Sequence, residues 1–95
     1  MNSQRLRFEY DPRKAKRNLQ KHGVSFEEAI SVFNDPLAAT LPDDDHSGEE
    51  RRFITIGESI RRRVLFVVHT DGPSGIRLIS ARKATATEKK QYEED

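Results

Sequence analysis

The side chains best suited to chemistry in this sequence are one histidine and two arginines in its second half. Arg51, His69 and Arg77 lie in three separate apolar stretches of the chain. A histidine transfers protons near neutral pH, because its ordinary pKa is about 6.5. An arginine binds phosphate through a planar set of N–H donors and keeps its charge while it does so. These residue types predict a site that binds a phosphate group and moves a proton beside it.

Other titratable side chains have simpler interpretations that remain open. Glu49 and Glu50 precede Arg51 and could supply a general base, but they equally fit the solvated entrance of a strand. His22 stands at the end of a predicted helix, where it more simply interacts with the negative end of the helix dipole.

No metal or cofactor site is predicted. Residues 43–45 are consecutive aspartates followed by His46, and this run lacks the alternating ligand spacing of a calcium loop. The sequence contains no cysteine, no phosphate-binding glycine loop and no nucleophile elbow. We therefore expect chemistry without a bound metal or cofactor.

Length and composition limit the architecture. The chain has 95 residues, 34% hydrophobic and 35% charged, which predicts one domain over residues 1–95 with a thin apolar layer. The absence of cysteine fits a reducing compartment, and neither a membrane-length apolar run nor a signal-peptide pattern is present. We expect a soluble cytoplasmic protein.

The net charge of +1 conceals alternating blocks of charge. Residues 1–23 carry seven basic and two acidic side chains, and residues 24–50 carry eight acidic and no basic ones. Residues 51–83 carry eight basic and two acidic side chains, and residues 84–95 carry two basic and four acidic ones. This pattern favours a divided surface with a positive face for a polyanion, or opposite blocks that neutralise one another in the fold.

The first half of the chain predicts a strand and two helices. Residues 6–10 alternate apolar and charged side chains, as a half-buried strand does. Asp11 and Pro12 start a helix that ends at Gly23. Ser25 and Glu28 form a capping box for a second helix from Phe26 to the stop at residues 34–36, and its apolar stripe should pack on a sheet.

The second half predicts four strands and a final helix. The strands are expected at residues 37–41, 51–57, 63–70 and 76–82, and short connections between the last three favour antiparallel hairpins. Thr87 is expected to cap a short helix that ends near Tyr92. The order of elements predicts an α+β domain: an antiparallel sheet with the two N-terminal helices on one face and a short C-terminal helix.

Hairpin register assigns these strand residues to faces. If the turn at 71–75 pairs the residues on either side of it, His69 lies opposite Arg77. If the turn at 58–62 does the same, Arg51 lies opposite His69, and the three side chains form one row on one face. The reverse face is then expected to pack against the helices and consists of Ile54, Ile56, Val64, Phe66, Val68, Ile76 and Leu78.

A row of two arginines and a histidine suits RNA cleavage by attack of the 2′-hydroxyl. That reaction needs the hydroxyl deprotonated, the leaving oxygen protonated and the charge on the phosphorane offset. The simpler alternative is a half-exposed His69 at a strand end with arginines covering the sheet edge. The basic helix surface could bind RNA phosphates or be a solvated face; the RNA-binding candidates are Lys14, Arg17, Lys21 and Lys83.

Several motifs in order along the chain resemble the BrnT toxin family. The most specific are Lys21-His22-Gly23-Val24-Ser25-Phe26-Glu27-Glu28-Ala29 and Ile79-Ser80-Ala81-Arg82-Lys83-Ala84. Shorter matches include Phe8-x-Tyr10-Asp11-Pro12, Asn18, Gly48-Glu49-Glu50-Arg51 and Val67-Val68-His69-Thr70. The position of Tyr10 is often Trp in the family, which is a small departure.

The resemblance implies a type II toxin with a fold similar to RelE-like ribonucleases. Such a toxin is a metal-independent ribonuclease that cleaves RNA and stops growth. A cognate BrnA-like antitoxin would bind and block it, and contact with DNA would occur only through that complex. The family's active-site pool corresponds here to Glu49 or Glu50, Arg51, His69, Arg77 and Arg82. Strand alternation places Arg82 on the opposite face from Arg77 unless the strand bulges.

A function of another class remains possible on the sequence alone. The protein could be a non-catalytic domain whose basic face binds an acidic protein or a nucleic acid. A ribonuclease would halt growth when produced alone, whereas a binding module would be innocuous.

Overall fold

Local sequence signals set the limits of the first helix. In the computed structural model, which describes residues 6–44 and 51–94, α1 spans Pro12–His22. Asp11 Oδ1 accepts a hydrogen bond from the Arg13 amide at 2.8 Å, and the Gly23 amide donates to the Leu19 carbonyl at 2.9 Å. Gly23 has a φ of 71°, a left-handed conformation that favours glycine. Both predicted ends of this helix are confirmed.

The second helix is short and lies on the core. α2 spans Phe26–Ser31 and continues as one 3₁₀ turn, Val32–Asn34. Ser25 Oγ accepts the Glu28 amide at 3.0 Å, so the predicted cap is present. Phe26 and Ala29 are fully buried on the predicted apolar stripe. The Glu28 carboxylate, by contrast, bonds to Arg63 and Ser59, in the turn between two strands.

Five strands form one mixed sheet, and the predicted α+β class is confirmed. The strands are β1 (Phe8–Glu9), β2 (Ala39–Pro42), β3 (Arg52–Glu58), β4 (Val64–Gly72) and β5 (Gly75–Lys83). Their order is β1-β5-β4-β3-β2, and only the β1–β5 pair is parallel. The Ile76 amide donates to the Arg7 carbonyl at 2.7 Å. A Cβ at Gly75 would collide with that same carbonyl oxygen, so glycine is required where β1 joins β5.

One face of the sheet packs against α1 and α2 and contains the core. Its strand residues are Leu65, Val67, Ile76, Leu78 and Ala81, all buried. Val24, Phe26, Ala29 and Val32 are the buried apolar residues that meet them from the helical side. We call the other side of the sheet the open face.

The predicted packing face is wrong for β3 and β4. Ile54 and Val68 form a cross-strand pair on the open face, where both are half-buried, and Ile56 pairs with Phe66 in the same way. The residues of β4 that face one side of the sheet are mostly apolar, and so are those that face the other side. Because His69 belongs to one of these two groups, that group was predicted to face solvent. The structure buries that group, histidine included.

The predicted hairpin registers are also wrong. The loop after β4 is a two-residue turn in which Gly72 pairs with Gly75, so Thr70 pairs with Arg77. A β-bulge then shifts the register, because Val68 pairs with Ser80 and His69 pairs with Leu78. The β3–β4 hairpin is two residues out of the predicted register, since Phe53 rather than Arg51 pairs with His69.

The N-cap of the last helix lies two residues earlier than predicted. α3 spans Ala86–Glu94, and Thr85 rather than Thr87 caps it. Thr85 Oγ1 accepts the Glu88 amide at 3.2 Å, while Glu88 Oε1 accepts the Thr85 amide at 2.9 Å. This reciprocal pair is a capping box, which has the same spacing in the sequence as Ser25 and Glu28.

Polar contacts connect α3 to the rest of the protein. Tyr92 donates its hydroxyl hydrogen to Asp35 Oδ2, and this bond raises the pKa of Tyr92 to about 12. Arg82 donates to both carboxylate oxygens of Glu88. No residue of α3 is buried, and none of the described helices is long and apolar enough to span a membrane.

A buried carboxylate joins α2 to the β3–β4 turn. Glu28 is 5% exposed and accepts hydrogen bonds from Arg63 Nε at 2.9 Å and from Ser59 Oγ at 2.7 Å. Arg63 also donates to the Gly23 carbonyl at 3.1 Å. This bond connects the end of α1 to the Glu28–Arg63 pair. The Arg63 hydrogen bond lowers the pKa of Glu28 against the opposing effect of burial.

Replacing this carboxylate should destabilise the fold. We expect Glu28→Gln to lower the free energy of unfolding by about 2–3 kcal/mol, because Arg63 loses its charged partner. The folded-state pKa of Glu28 lies below its unfolded value, so its stabilisation is complete above about pH 5 and is lost as pH falls through the folded-state pKa. Urea titrations of variant and wild type should therefore converge once the pH falls below the folded-state pKa of Glu28.

Glu58→Gln is the matched control, because Glu58 is exposed and pairs with Arg62 at 3.6 Å on the surface. Its effect should stay within about 1 kcal/mol. Equal losses in the two variants would contradict the role given to Glu28.

Candidate active site

A cleft opens at the end of the sheet where β4 turns into β5. Its volume is about 330 Å³. Pairing of Glu9 and Thr70 with Arg77 brings three strands to this point. The cleft is lined by Glu9, Arg51, Thr70, Asp71, Gly72, Pro73, Ser74, Gly75 and Arg77.

Two of the predicted site residues meet in this cleft. Arg51 precedes β3, and its guanidinium carbon lies 5.6 Å from the centre of the Phe53 ring. Arg77 extends from β5 on the open face, opposite Thr70. Both residues are exposed and line the same cleft, and guanidinium groups bind phosphate through charged N–H donors. The strand registers that bring Arg51 and Arg77 to this cleft differ from the registers that were predicted.

His69 is not part of that row, because it lies on the core face of the sheet. It is 1% exposed, with the Phe33 ring edge-on at 5.1 Å and the Phe53 ring stacked at 6.0 Å. Its Nε2 is 2.7 Å from Thr55 Oγ1, and its Nδ1 is 2.8 Å from Asp71 Oδ1. The predicted row of Arg51, His69 and Arg77 on one face is therefore wrong, and so is the simpler alternative of a half-exposed His69 at a strand end. Asp71 lines the cleft, whereas His69 does not.

Burial favours the neutral form of His69. Desolvation lowers the pKa of the imidazole, while the Asp71 carboxylate raises it by charge and by hydrogen bonding, and desolvation is the larger effect. Since an ionised carboxylate can only accept, the hydrogen on the neutral ring is on Nδ1 and points at Asp71. The buried nitrogen Nε2 is then an acceptor for the Thr55 hydroxyl.

Asp71 is the cleft residue that the sequence analysis missed. Its side chain is 49% exposed, lines the cleft and accepts the hydrogen bond from His69. Two residues apart on a strand, His69 and Asp71 point to the same side of the sheet. That spacing could have revealed the pair, but the predicted strand ended at residue 70 and left Asp71 in a turn.

Arg82 lies on the same face as Arg77, because the β-bulge reverses the alternation between them. Its guanidinium carbon is 3.9 Å from the centre of the Phe66 ring, and it donates to Glu88. Arg82 therefore anchors α3, and it is not among the residues that line the cleft.

The remaining candidates lie elsewhere. Glu49, Glu50 and His46 fall outside the described residues, so a role for the glutamates stays a prediction. In the described ranges 6–44 and 51–94, no three side chains of metal-binding type are grouped so that they could hold an ion. The predicted RNA-binding residues are exposed but do not line the cleft: Lys14, Arg17, Lys21 and Lys83.

The fold and the cleft define a small α+β protein with an arginine-lined cleft at one end of its sheet. Residues 10–88 match the sequence model of the "Ribonuclease toxin, BrnT, of type II toxin-antitoxin system". The chain belongs to the BrnT toxin family, which confirms the resemblance carried by its motifs.

Solved structures agree with this assignment at the level of the fold. The 1.1 Å crystal structure of the Brucella abortus ribonuclease toxin BrnT is similar, with a TM-score of 0.66 and 23% sequence identity. The similarity covers 85% of this chain and 99% of that one. No curated protein matches the sequence.

The burial of His69 can be tested by titration. We expect NMR of its imidazole to give a pKa below the ordinary value of about 6.5, since desolvation outweighs the carboxylate. Asp71→Asn should lower this pKa further, because it removes the negative charge that favours the imidazolium ion.

Glu58→Gln removes a carboxylate at the far end of β3 and should leave the titration unchanged. An unchanged or higher His69 pKa in Asp71→Asn would contradict the described pair.

Proposed function

We propose that the protein is a metal-independent endoribonuclease that inhibits translation and growth and is neutralised by a cognate antitoxin. The observation that supports this is the meeting of Arg51 and Arg77 in one cleft at the end of the sheet. Two guanidinium groups offset the charge that builds up on a phosphorane during attack by the 2′-hydroxyl. The family to which the chain belongs is described as a ribonuclease toxin.

The position of the arginines suits binding to a phosphodiester rather than to a buried small molecule. Both lie at a strand end beside a turn, where a long polymer can pass without entering the core. The guanidinium carbon of Arg51 also lies 5.6 Å from the centre of the Phe53 ring, and this cation–π contact favours its position. Exposed lysines and arginines of α1, with Lys83, would add phosphate contacts along the polymer; these contacts are a proposal.

The open face suits the antitoxin. Ile54 and Val68 are half-buried there, Leu41 on the edge strand is 54% exposed, and Arg52 lies at the end of the same face. A partner that inserts apolar side chains along these strands and carries acidic groups would cover this face together with Arg77. Such a partner would block the cleft, because its acidic groups would bind Arg77 in place of a phosphate.

Cleavage of RNA by the purified protein tests the catalytic part of the proposal. A labelled single-stranded RNA should be cut in the presence of a chelator, leaving a 2′,3′-cyclic phosphate and a 5′-hydroxyl. Arg51→Ala and Arg77→Ala should each lower kcat/KM by about 10²–10³-fold, because each removes a charged contact to the phosphorane.

The matched control is Arg62→Gln. It removes one positive charge at the β3–β4 turn, at the other end of β4, and should change kcat/KM less than about threefold. Full activity in both Arg51→Ala and Arg77→Ala would show that the cleft is not the site.

Growth of a bacterial host tests the biological part. Production of the protein alone should halt growth, and co-production of a small protein encoded beside it should restore growth. Arg77→Ala should be tolerated without the partner, because it lacks the proposed phosphate contact. A wild-type protein that is innocuous at the same level would favour the non-catalytic binding domain instead.

A further inference from the structure

Four polar side chains form a continuous line from the edge strand β2, through buried Thr55 and His69, to the cleft. Thr40 Oγ1 of β2 is 2.7 Å from Thr55 Oγ1 of β3, which is 2.7 Å from Nε2 of His69. Nδ1 of His69 is 2.8 Å from Oδ1 of Asp71, at the edge of the cleft. Thr55 and His69 are each 1% exposed, so the line is buried except at Asp71 and Thr40.

The hydrogen bonds of this line have one consistent direction. The Asp71 carboxylate accepts, which places the ring hydrogen of a neutral His69 on Nδ1 and leaves a lone pair on Nε2. Thr55 therefore donates its hydroxyl hydrogen to Nε2, and its oxygen accepts the hydroxyl hydrogen of Thr40. Thr40 orients the hydroxyl of Thr55, and Thr55 orients the ring of His69. The hydrogen bond from His69 then orients the Asp71 carboxylate. Among the described residues, no buried side-chain nitrogen or oxygen is without a partner.

A buried network of this kind fixes the rotamer of a surface carboxylate. An exposed aspartate at a strand end ordinarily samples several rotamers, but Oδ1 of Asp71 is bonded to a ring that is packed between Phe33 and Phe53. The side chain is still 49% exposed and lines the cleft with Arg51 and Arg77.

We propose that Asp71 removes the proton from the attacking 2′-hydroxyl and that His69 is its positioning residue. This inference rests on the proposed ribonuclease function. The Asp71 carboxylate takes the 2′-hydroxyl proton as O2′ forms its bond to phosphorus. The bond from phosphorus to O5′ breaks, and the leaving oxygen takes a proton from solvent water, while Asp71 returns its proton to solvent. The products are a 2′,3′-cyclic phosphate and a 5′-hydroxyl, with no net change in protons.

The position of His69 excludes it from direct contact with the substrate. Its ring lies on the core face, with Asp71 between it and the cleft, and both ring nitrogens already bond to protein groups. The histidine therefore acts through the carboxylate.

Asp71→Asn tests the proton transfer, with kcat and KM measured on the labelled RNA. An amide cannot take the proton, so kcat should fall by about 10²–10⁴-fold. KM should stay the same or fall, because the loss of a negative charge beside two arginines does not weaken RNA binding. Asp71 is half-exposed, so this variant should fold, and thermal unfolding checks that it does.

A matched pair of histidine variants tests the positioning role. The amide nitrogen of His69→Asn can take the place of Nδ1 and donate to Asp71. The longer His69→Gln places its amide near Nε2, where it bonds Thr55 and leaves Asp71 without its donor. We expect His69→Gln to lower kcat at least tenfold with KM unchanged, and His69→Asn to recover most of that loss.

The outcomes separate this inference from the function on which it rests. If Arg51→Ala and Arg77→Ala are inactive while Asp71→Asn cleaves RNA like the wild type, the ribonuclease stands and the role of Asp71 is wrong. If the folded His69→Asn and His69→Gln variants lose activity equally, the positioning role is wrong. If either histidine variant fails to fold, the Asp71→Asn measurement decides the proposal. A wild-type protein that leaves RNA intact overturns both.

Discussion

The placement of β5 depends on one buried amide. β1 pairs with β5 only through Ile76 and Arg77, and further along β5 the side chain of Asn18 takes the place of a neighbouring strand. Its Nδ2 donates to the Ala81 carbonyl at 2.8 Å and to the Val24 carbonyl at 2.9 Å, while its Oδ1 accepts the Ala81 amide at 3.1 Å. The amide thus satisfies both backbone groups of a buried strand residue and joins them to α1 and to the segment before α2.

This bond lies two residues beyond Ile79, where the register of β4 and β5 shifts. The β-bulge places one extra residue in β5, and the side chains on its two sides change their alternation. Arg77 and Arg82 consequently share the open face, while His69 remains beneath α2 and the 3₁₀ turn. Strand pairing places His69 opposite Leu78 and Arg77 opposite Thr70, so the buried histidine and the exposed Arg77 lie on different faces of the sheet.

The features that were predicted correctly from the sequence are those that depend on local interactions, such as the ends of helices. Asp11, Gly23 and Ser25 specify helix ends through contacts within four residues, and all three were placed correctly. Register depends on contacts between distant strands, and here the pattern was ambiguous, since both Leu65 with Val67 and Phe66 with Val68 are apolar. Arg51 and Arg77 were identified by their chemistry and do meet in the cleft. Asp71 was missed because the extension of β4 beyond residue 70 depends on pairing with β5.

The way in which α3 is attached has a consequence for the behaviour of the protein in salt. The helix contains no buried residue, and its described anchors are the Arg82–Glu88 pair and the Tyr92–Asp35 hydrogen bond. Raised ionic strength screens an ion pair of this kind, whereas it does not weaken apolar burial such as that of Phe26 and Leu65. The C-terminal helix is thus the element whose detachment would respond to ionic strength, at concentrations that leave the core intact. Its release would free the guanidinium of Arg82 on the open face from Glu88, with no unfolding of the sheet.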